Sequence, residues 1–181
     1  MKNTCIIILA AGSSSRLGMP KQFLPFNNKT LLQHTVDEAW LSGAGKVLVV
    51  TGFEADTVSK AIEEQPVDIV FNRTWRDGMA SGIVAGVGAA MISDSIDSII
   101  IAVCDQPFIS AEIFGKLYRT HIESQKPIVV SAYSDTVGTP ALFSKQYFDE
   151  LLSLKGTEGA KKIVKANSGA AGIDRKSTRL N

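Results

Sequence analysis

"CIIILAAGSSSRLGMPK" (residues 5–21) is the stretch on which the fold turns. Seven apolar residues, Cys5 to Ala11, run without a polar break and give way at Gly12 to serines, an arginine and a lysine. An unbroken apolar run of that length suits a strand covered on both faces. The loop behind it is poor core material and costs conformational entropy to order, so a ligand from outside the chain is expected to help order it. Gly12 allows close backbone approach, and consecutive N–H groups at such a turn form an anion-binding nest. Arg16 can grip a phosphate in a two-pronged fork and Lys21 acts as a point charge, while Pro20 fixes the backbone just ahead of that lysine.

The same grammar repeats outward from this stretch. "KVLVVTG" (46–52), "VDIVFN" (67–72), "SIIIAVCD" (98–105), "PIVVSAY" (127–133) and "GTPALFS" (138–144) read as further strands. Between them "LLQHTVDEAWLSG", "DTVSKAIEE", "ASGIVAGVGAAMI", "SAEIFGKLYRTHIES", "SKQYFDELLSL" and "GAKKIVKA" carry helical spacing. Ser110 is placed as an N-cap and Gly43 as a helix stop. Alternating strands and helices predict a three-layer, Rossmann-like α/β sandwich with a mostly parallel sheet. In that architecture ligands bind beyond the carboxyl ends of the strands, which is where the opening loop falls. Residues 1–174 are expected to form one domain. Residues 175–181, "RKSTRLN", read as an irregular tail that is either frayed, truncated or foreign.

Composition narrows the partners. Of 181 residues, 19 are basic and 18 acidic, for a net charge of +1, so there is no electrostatic case for nucleic acid or an anionic membrane surface. Any anion must be caught locally. Cys5 and Cys104 lie inside apolar runs without metal-ligand spacing and read as buried free thiols. The apolar run at the N-terminus is too short for a secretion signal or a membrane span, and together with the thiols this predicts a cytoplasmic protein.

Neither G-x-x-x-x-G-K-[ST] nor a G-x-G-x-x-G after a strand is present. "LAAG.S.R.G.PKQ" instead resembles the signature loop of nucleotidyltransferases that join a nucleoside triphosphate to a phosphorylated acceptor. "NRTWRDGMASGIVAG" (72–86) and "VCDQPFIS" (103–110) are similar to segments of the molybdenum cofactor cytidylyltransferase branch of the MobA-like NTP transferase family, and "GTPALFS" has its counterpart there. The resemblance runs over about residues 4 to 167 and implies transfer of CMP from CTP to the phosphate of a molybdopterin-type acceptor, with a molybdoenzyme or its chaperone downstream. GTP, another phosphorylated acceptor, and a non-catalytic nucleotide-binding module remain the competing readings.

Carried over position by position, the resemblance makes Arg16, Lys21 and Asp105 the catalytic set. It gives nucleotide contacts to Leu9, Ala10, Ala11, Gly12, Ser13, Ser14, Ser15, Arg16 and Lys21, and to Asn72 and Ser81, which are equally readable as a turn residue and a helix-start residue. Asp105 becomes the ligand of Mg²⁺, an ion usually held by one or two carboxylates plus substrate phosphates. Gln106 is expected to orient Asp105 or touch ligand, and Trp75 to anchor packing. The branch's Gly-Asp-x-Gly-Ala-Arg text is here "GTEGAKK" (156–162), with Thr157 at the aspartate position and Lys161 at the arginine position. Glu158 is the one candidate for a replacement second carboxylate. His34 and His121 are given helix-surface roles rather than chemistry.

Overall fold

The structure, a computed structural model, describes residues 1–13, 20–133 and 136–175. In chain order the strands and helices are β1 (Thr4–Leu9), β2 (Pro25–Phe26), β3 (Lys29–Thr30), α1 (Leu31–Leu41), β4 (Lys46–Thr51), α2 (Ala55–Ala61), β5 (Asp68–Phe71) and α3 (Met79–Ala90). They continue with β6 (Ser98–Val103), α4 (Ala111–Ser124), β7 (Ile128–Tyr133), β8 (Thr136–Ser144), α5 (Phe148–Leu152), α6 (Lys161–Ala166) and β9 (Ala171–Arg175). Seven strands form one sheet in the order β5-β4-β1-β6-β8-β7-β9, and β2 and β3 form a separate two-stranded ribbon. Strands β5, β4, β1 and β6 pair in parallel, β8 runs antiparallel to both β6 and β7, and β9 returns parallel to β7. The expected α/β sandwich with a mostly parallel sheet is therefore what the chain forms.

The continuous apolar runs have a direct cause. Side chains alternate across a strand, so Cys5 and Ile7 of β1 point to one face and Ile6 and Ile8 to the other. Ile7 joins Leu48, Ile101, Ile83, Val87 and Phe148 in one buried layer under α3 and α5. Ile6 and Ile8 join Val49, Leu32, Val36, Phe114 and Leu117 in a second layer under α1 and α4. Both faces are covered, so neither can be polar. Helix α3 sits close enough to the sheet that a β-carbon on Gly86 would lie 2.5 Å from Ile7 Cγ2.

Several local expectations shift. The first strand was expected over 5–11 but leaves the ladder after Leu9: the Ala10 N–H donates to the Val50 carbonyl, and the Ala11 carbonyl accepts from Phe53 N–H. Gly43 ends α1 as expected, its N–H donating to Trp40. Ser110 occupies the N-cap of α4 without a side-chain cap. Its work is done from another helix, because Glu38 Oε2 accepts the Ala111 N–H at 2.7 Å. The single helix expected over 144–154 is a 3-10 turn, Lys145–Tyr147, followed by α5. Strand β9 was missed, since "AGIDR" has no apolar run, and what makes it a strand is the free edge of β7 beside it. Both cysteines are buried and free. Among the described residues, no helix is long and apolar enough to cross a membrane.

Candidate active site

The sheet order reverses direction at β1. From there the chain runs outward to β4 and β5, then returns to β6 on the opposite side. Such a switch point leaves a crevice beyond the carboxyl ends of the two central strands. A cavity of about 520 Å³ opens there. Leu9 to Ser13 form its floor, Val103, Cys104 and Asp105 close one end, Lys21 and Gln22 stand on one side, and the segment from Trp75 to Gly82 stands on the other.

Lys21 and Asp105 are the charged groups that meet across this space. Lys21 opens a 3-10 turn, Lys21–Phe23, that Pro20 starts with φ −64° and its carbonyl holds by accepting the Phe23 N–H. Lys21 Nζ donates to Asp105 Oδ2 at 2.9 Å over 84 residues of sequence. The side chains are 42% and 35% exposed, so water and ligand can reach both. A cation and a carboxylate held together at an open mouth can be separated again, one by an anion and the other by a cation. Beside them, Cys104 is 6% exposed. Burial, and then the Asp105 charge, push its thiol pKa up to about 12, so it contributes an uncharged, apolar surface.

The opposite wall is built from a hydrogen-bonded corner. Asn72, 3% exposed, follows β5. Its Oδ1 accepts from the Thr74 N–H and hydroxyl, each at 3.1 Å, and its Nδ2 donates to Ser81 Oγ at 2.8 Å. Ser81 Oγ in turn donates to the Gly78 carbonyl at 2.8 Å. Asn72 and Ser81 thus bond each other and do not line the cavity. Gly78 adopts φ +106°, a region that favours glycine, and a β-carbon there would also lie 2.4 Å from the Gly156 carbonyl. That same carbonyl accepts the Ala80 N–H, which ties the start of α3 to the 153–160 loop. Trp75 is both anchor and wall: it lines the cavity, makes an edge contact with Phe53 at 5.5 Å, and carries the Arg76 guanidinium 4.4 Å from its ring centre.

A second, smaller cavity of about 100 Å³ adjoins the first through Leu9, Met79 and Val103, and extends between β6, β8 and the start of α6. Gln106 braces this side, its Nε2 donating to the Thr139 carbonyl at 3.0 Å. Glu158 does not line either cavity. Its carboxylate accepts from Lys162 Nζ at 2.6 Å and from the Lys155 N–H at 2.9 Å, and these bonds hold its pKa below the usual carboxylate value. The histidines are elsewhere too, bonded to the Ile109 and Lys126 carbonyls.

Of the site residues read from sequence, the structure brings together Leu9, Ala10, Ala11, Gly12, Ser13, Lys21 and Asp105. Ser14, Ser15 and Arg16 lie outside the described residues. Sequence reasoning missed Gln22, Arg76 and Met79 as wall residues. Arg76 and Met79 follow Trp75 in a stretch already singled out, but nothing local says which way they point. Among the described residues no three potential ligand side chains cluster. Asp105 by itself, with room for phosphate oxygens beside it, is a donor set that fits a hard divalent cation shared with a phosphorylated ligand.

Residues 6–171 match the MobA-like NTP transferase domain, and the chain belongs to that family. It is 34% identical over 116 residues to the nicotine blue oxidoreductase of Paenarthrobacter nicotinovorans, covering 64% of this chain and 55% of that protein, so it spans about half the length of that relative. It is 26% identical over 140 residues to the molybdenum cofactor cytidylyltransferase of Escherichia coli K12, covering 77% of this chain and 69% of the relative. Among solved structures, Rv0371c of Mycobacterium tuberculosis H37Rv superposes with a TM-score of 0.81 at 29% identity, over 96% of this chain and 87% of that one. The same protein has been solved as a complex with manganese, which superposes with a TM-score of 0.78 at 25% identity over 96% of this chain and 88% of that one.

Proposed function

We propose that this member of the MobA-like NTP transferase family moves CMP from CTP onto the phosphate of a molybdopterin-type acceptor and releases pyrophosphate. The observation that carries the reading is the Lys21–Asp105 pair at 2.9 Å across the mouth of a cavity at the switch point of the sheet. An oxygen of the acceptor phosphate attacks the α-phosphorus of CTP, and the bond to the bridging oxygen breaks with its electron pair leaving on pyrophosphate. The attacking oxygen is already anionic, so no general base is required, and no histidine lines the cavity. Catalysis then rests on alignment and charge neutralisation. Lys21, with Arg16 from the same loop, takes the triphosphate, and the backbone from Ala10 to Ser13 receives the nucleotide. Asp105 is the protein ligand for Mg²⁺, which when bound would neutralise charge on the phosphates. The 26% identity to a molybdenum cofactor cytidylyltransferase supports the choice of nucleotide and acceptor.

The competing reading is a nucleotide-binding module without turnover. The bonding of Glu158 to Lys162 and Lys155, away from the cavity, favours it. Titration of CTP, GTP, ATP and UTP with and without Mg²⁺, beside an assay of pyrophosphate release, separates the readings. CTP is expected to bind at least about tenfold more tightly than GTP, or about 1.4 kcal/mol. Equal or reversed preference overturns the cytidylyl assignment, and binding without metal-dependent pyrophosphate release establishes the module.

A further inference from the structure

Gln22 follows Lys21 in the same 3-10 turn and is its opposite in exposure. The residue is 2% exposed, yet it forms part of the cavity wall. Its Nε2 is buried with no hydrogen-bond partner among the described residues. A buried amide donor left unpaired costs about 1–3 kcal/mol, and well-packed interiors seldom keep one. A methionine or leucine would fill the same space without that penalty. Among the described residues Thr51 Oγ1, Gln65 Oε1, Gln106 Oε1 and Ser144 Oγ are also buried without a partner, whereas Asn72 engages Ser81 and Thr74. Of these residues, Gln22 is the one that lines the cavity beside Lys21 and Asp105.

An amide donor next to a lysine, at the edge of a cavity, is suited to an anionic oxygen that reaches the lysine as well. We infer that Gln22 is a ligand-binding residue of the nucleotide cleft, donating from its carboxamide to a phosphate oxygen of the bound triphosphate. This rests on the proposed binding of a nucleoside triphosphate in this cavity. Lys21 supplies charge, and Gln22 supplies direction: a neutral donor on a short, buried arm fixes the position of a phosphate that a point charge alone leaves free to slide. A phosphate oxygen at this position would complete the amide's hydrogen bonding.

The test uses the full chain without metal and three probes: CTP, inorganic tripolyphosphate and cytidine. Gln22→Met keeps the volume and removes both polar atoms; Gln22→Glu keeps the shape and sets a negative charge against the phosphates. Gln22→Met is expected to weaken CTP and tripolyphosphate by about tenfold to a hundredfold, the worth of a hydrogen bond to a charged group. Cytidine affinity should stay within about twofold, and the melting temperature should hold or rise because an unpaired buried group has gone. Gln22→Glu should weaken both phosphate probes at least as much. Retention of parental tripolyphosphate affinity by either variant overturns the inference. So does a loss of cytidine in the same proportion, which marks structural damage, or a loss confined to the base-bearing probes, which makes Gln22 a base reader. A parent chain that binds neither CTP nor tripolyphosphate overturns the functional reading along with it.

Discussion

Asp105 and Glu158 are both carboxylates bonded to a lysine, at 2.9 Å and 2.6 Å, but they belong to different kinds of place. Asp105 closes the end of the parallel half of the sheet and meets a lysine 84 residues away across an open cavity. Glu158 meets Lys162 four residues on and also accepts the Lys155 N–H, so its bonds are local and stitch a loop to the start of a short helix. A long-range ion pair at a cavity mouth holds two charged groups where, under the proposed function, ligands would divide them. A local pair merely finishes a turn. Under the proposed function the parallel half carries the chemistry, because its strands all end on the same side, and the half with antiparallel β8 carries walls and supports.

The sharpest break between the two carboxylates is catalytic. Asp105→Asn should lower the initial rate of pyrophosphate release by roughly 10²–10³-fold, about 3–4 kcal/mol of transition-state stabilisation, across a magnesium titration. Glu158→Gln should change it by less than about twofold. Comparable losses in both variants would show that Glu158 reaches the metal during turnover, and the contrast would collapse.

Next in size is the lysine side of the cavity pair. Lys21→Ala should weaken triphosphate binding by about 1.5–3 kcal/mol while the melting temperature hardly moves, because a half-exposed ion pair adds little stability. Asp105→Asn should leave metal-free CTP affinity equal or tighter, since a negative charge beside the phosphate site is removed. Calorimetric titration in the absence of metal reads both.

A scaffold substitution supplies the counter-case. Alanine is normally better than glycine inside a helix by up to about 1 kcal/mol. At Gly86 the added carbon would lie 2.5 Å from Ile7 Cγ2 and 3.1 Å from Val50 Cγ2. Overpacking of this kind costs about 1–3 kcal/mol and should win. Gly86→Ala is expected to lower the urea midpoint without changing the slope, and a more stable variant would show that α3 can lift off the sheet.

The smallest effect is the pH dependence of the local pair. Glu158 has its folded pKa lowered, first by the Lys162 hydrogen bond and then by the Lys155 N–H. Its contribution to stability is therefore present above the ordinary glutamate pKa and is lost as pH falls through the lower folded value. Glu158→Gln should melt slightly earlier than the parent near neutral pH, with the two curves converging in acid. Melting curves from pH 7 down to pH 3 check this, and divergence in acid would reverse the sign.

Much of this was legible in the chain. β1, β4 and β6 could be read because strands buried on both faces show up as unbroken apolar runs, and their order with the helices implied the switch point. Lys21 and Asp105 were legible as charges directly after turns at strand ends. β9 was not, because its pairing is imposed by the exposed edge of β7 and leaves no mark in "AGIDR". The N-cap of α4 was misjudged in its chemistry for a related reason: Glu38 reaches it from a helix 73 residues earlier. Asn72 and Ser81 were equally readable as ligand contacts and as turn and helix-start residues, and the hydrogen bond between their side chains is something only the structure shows.

The sequence by itself determined the alternation of strands and helices, the two-faced burial of the sheet, and the family, because period, composition and motif order are carried by neighbouring residues. Only the tertiary structure decided which side chains share the cavity. Lys21 reaches Asp105 because β1 and β6 lie side by side in register. Glu158 bonds Lys162 and the Lys155 N–H and lines neither cavity. Gln22 is buried without a partner because of how its turn docks into the cavity wall. Each of these depends on distances between segments far apart in the chain, and no local pattern encodes them.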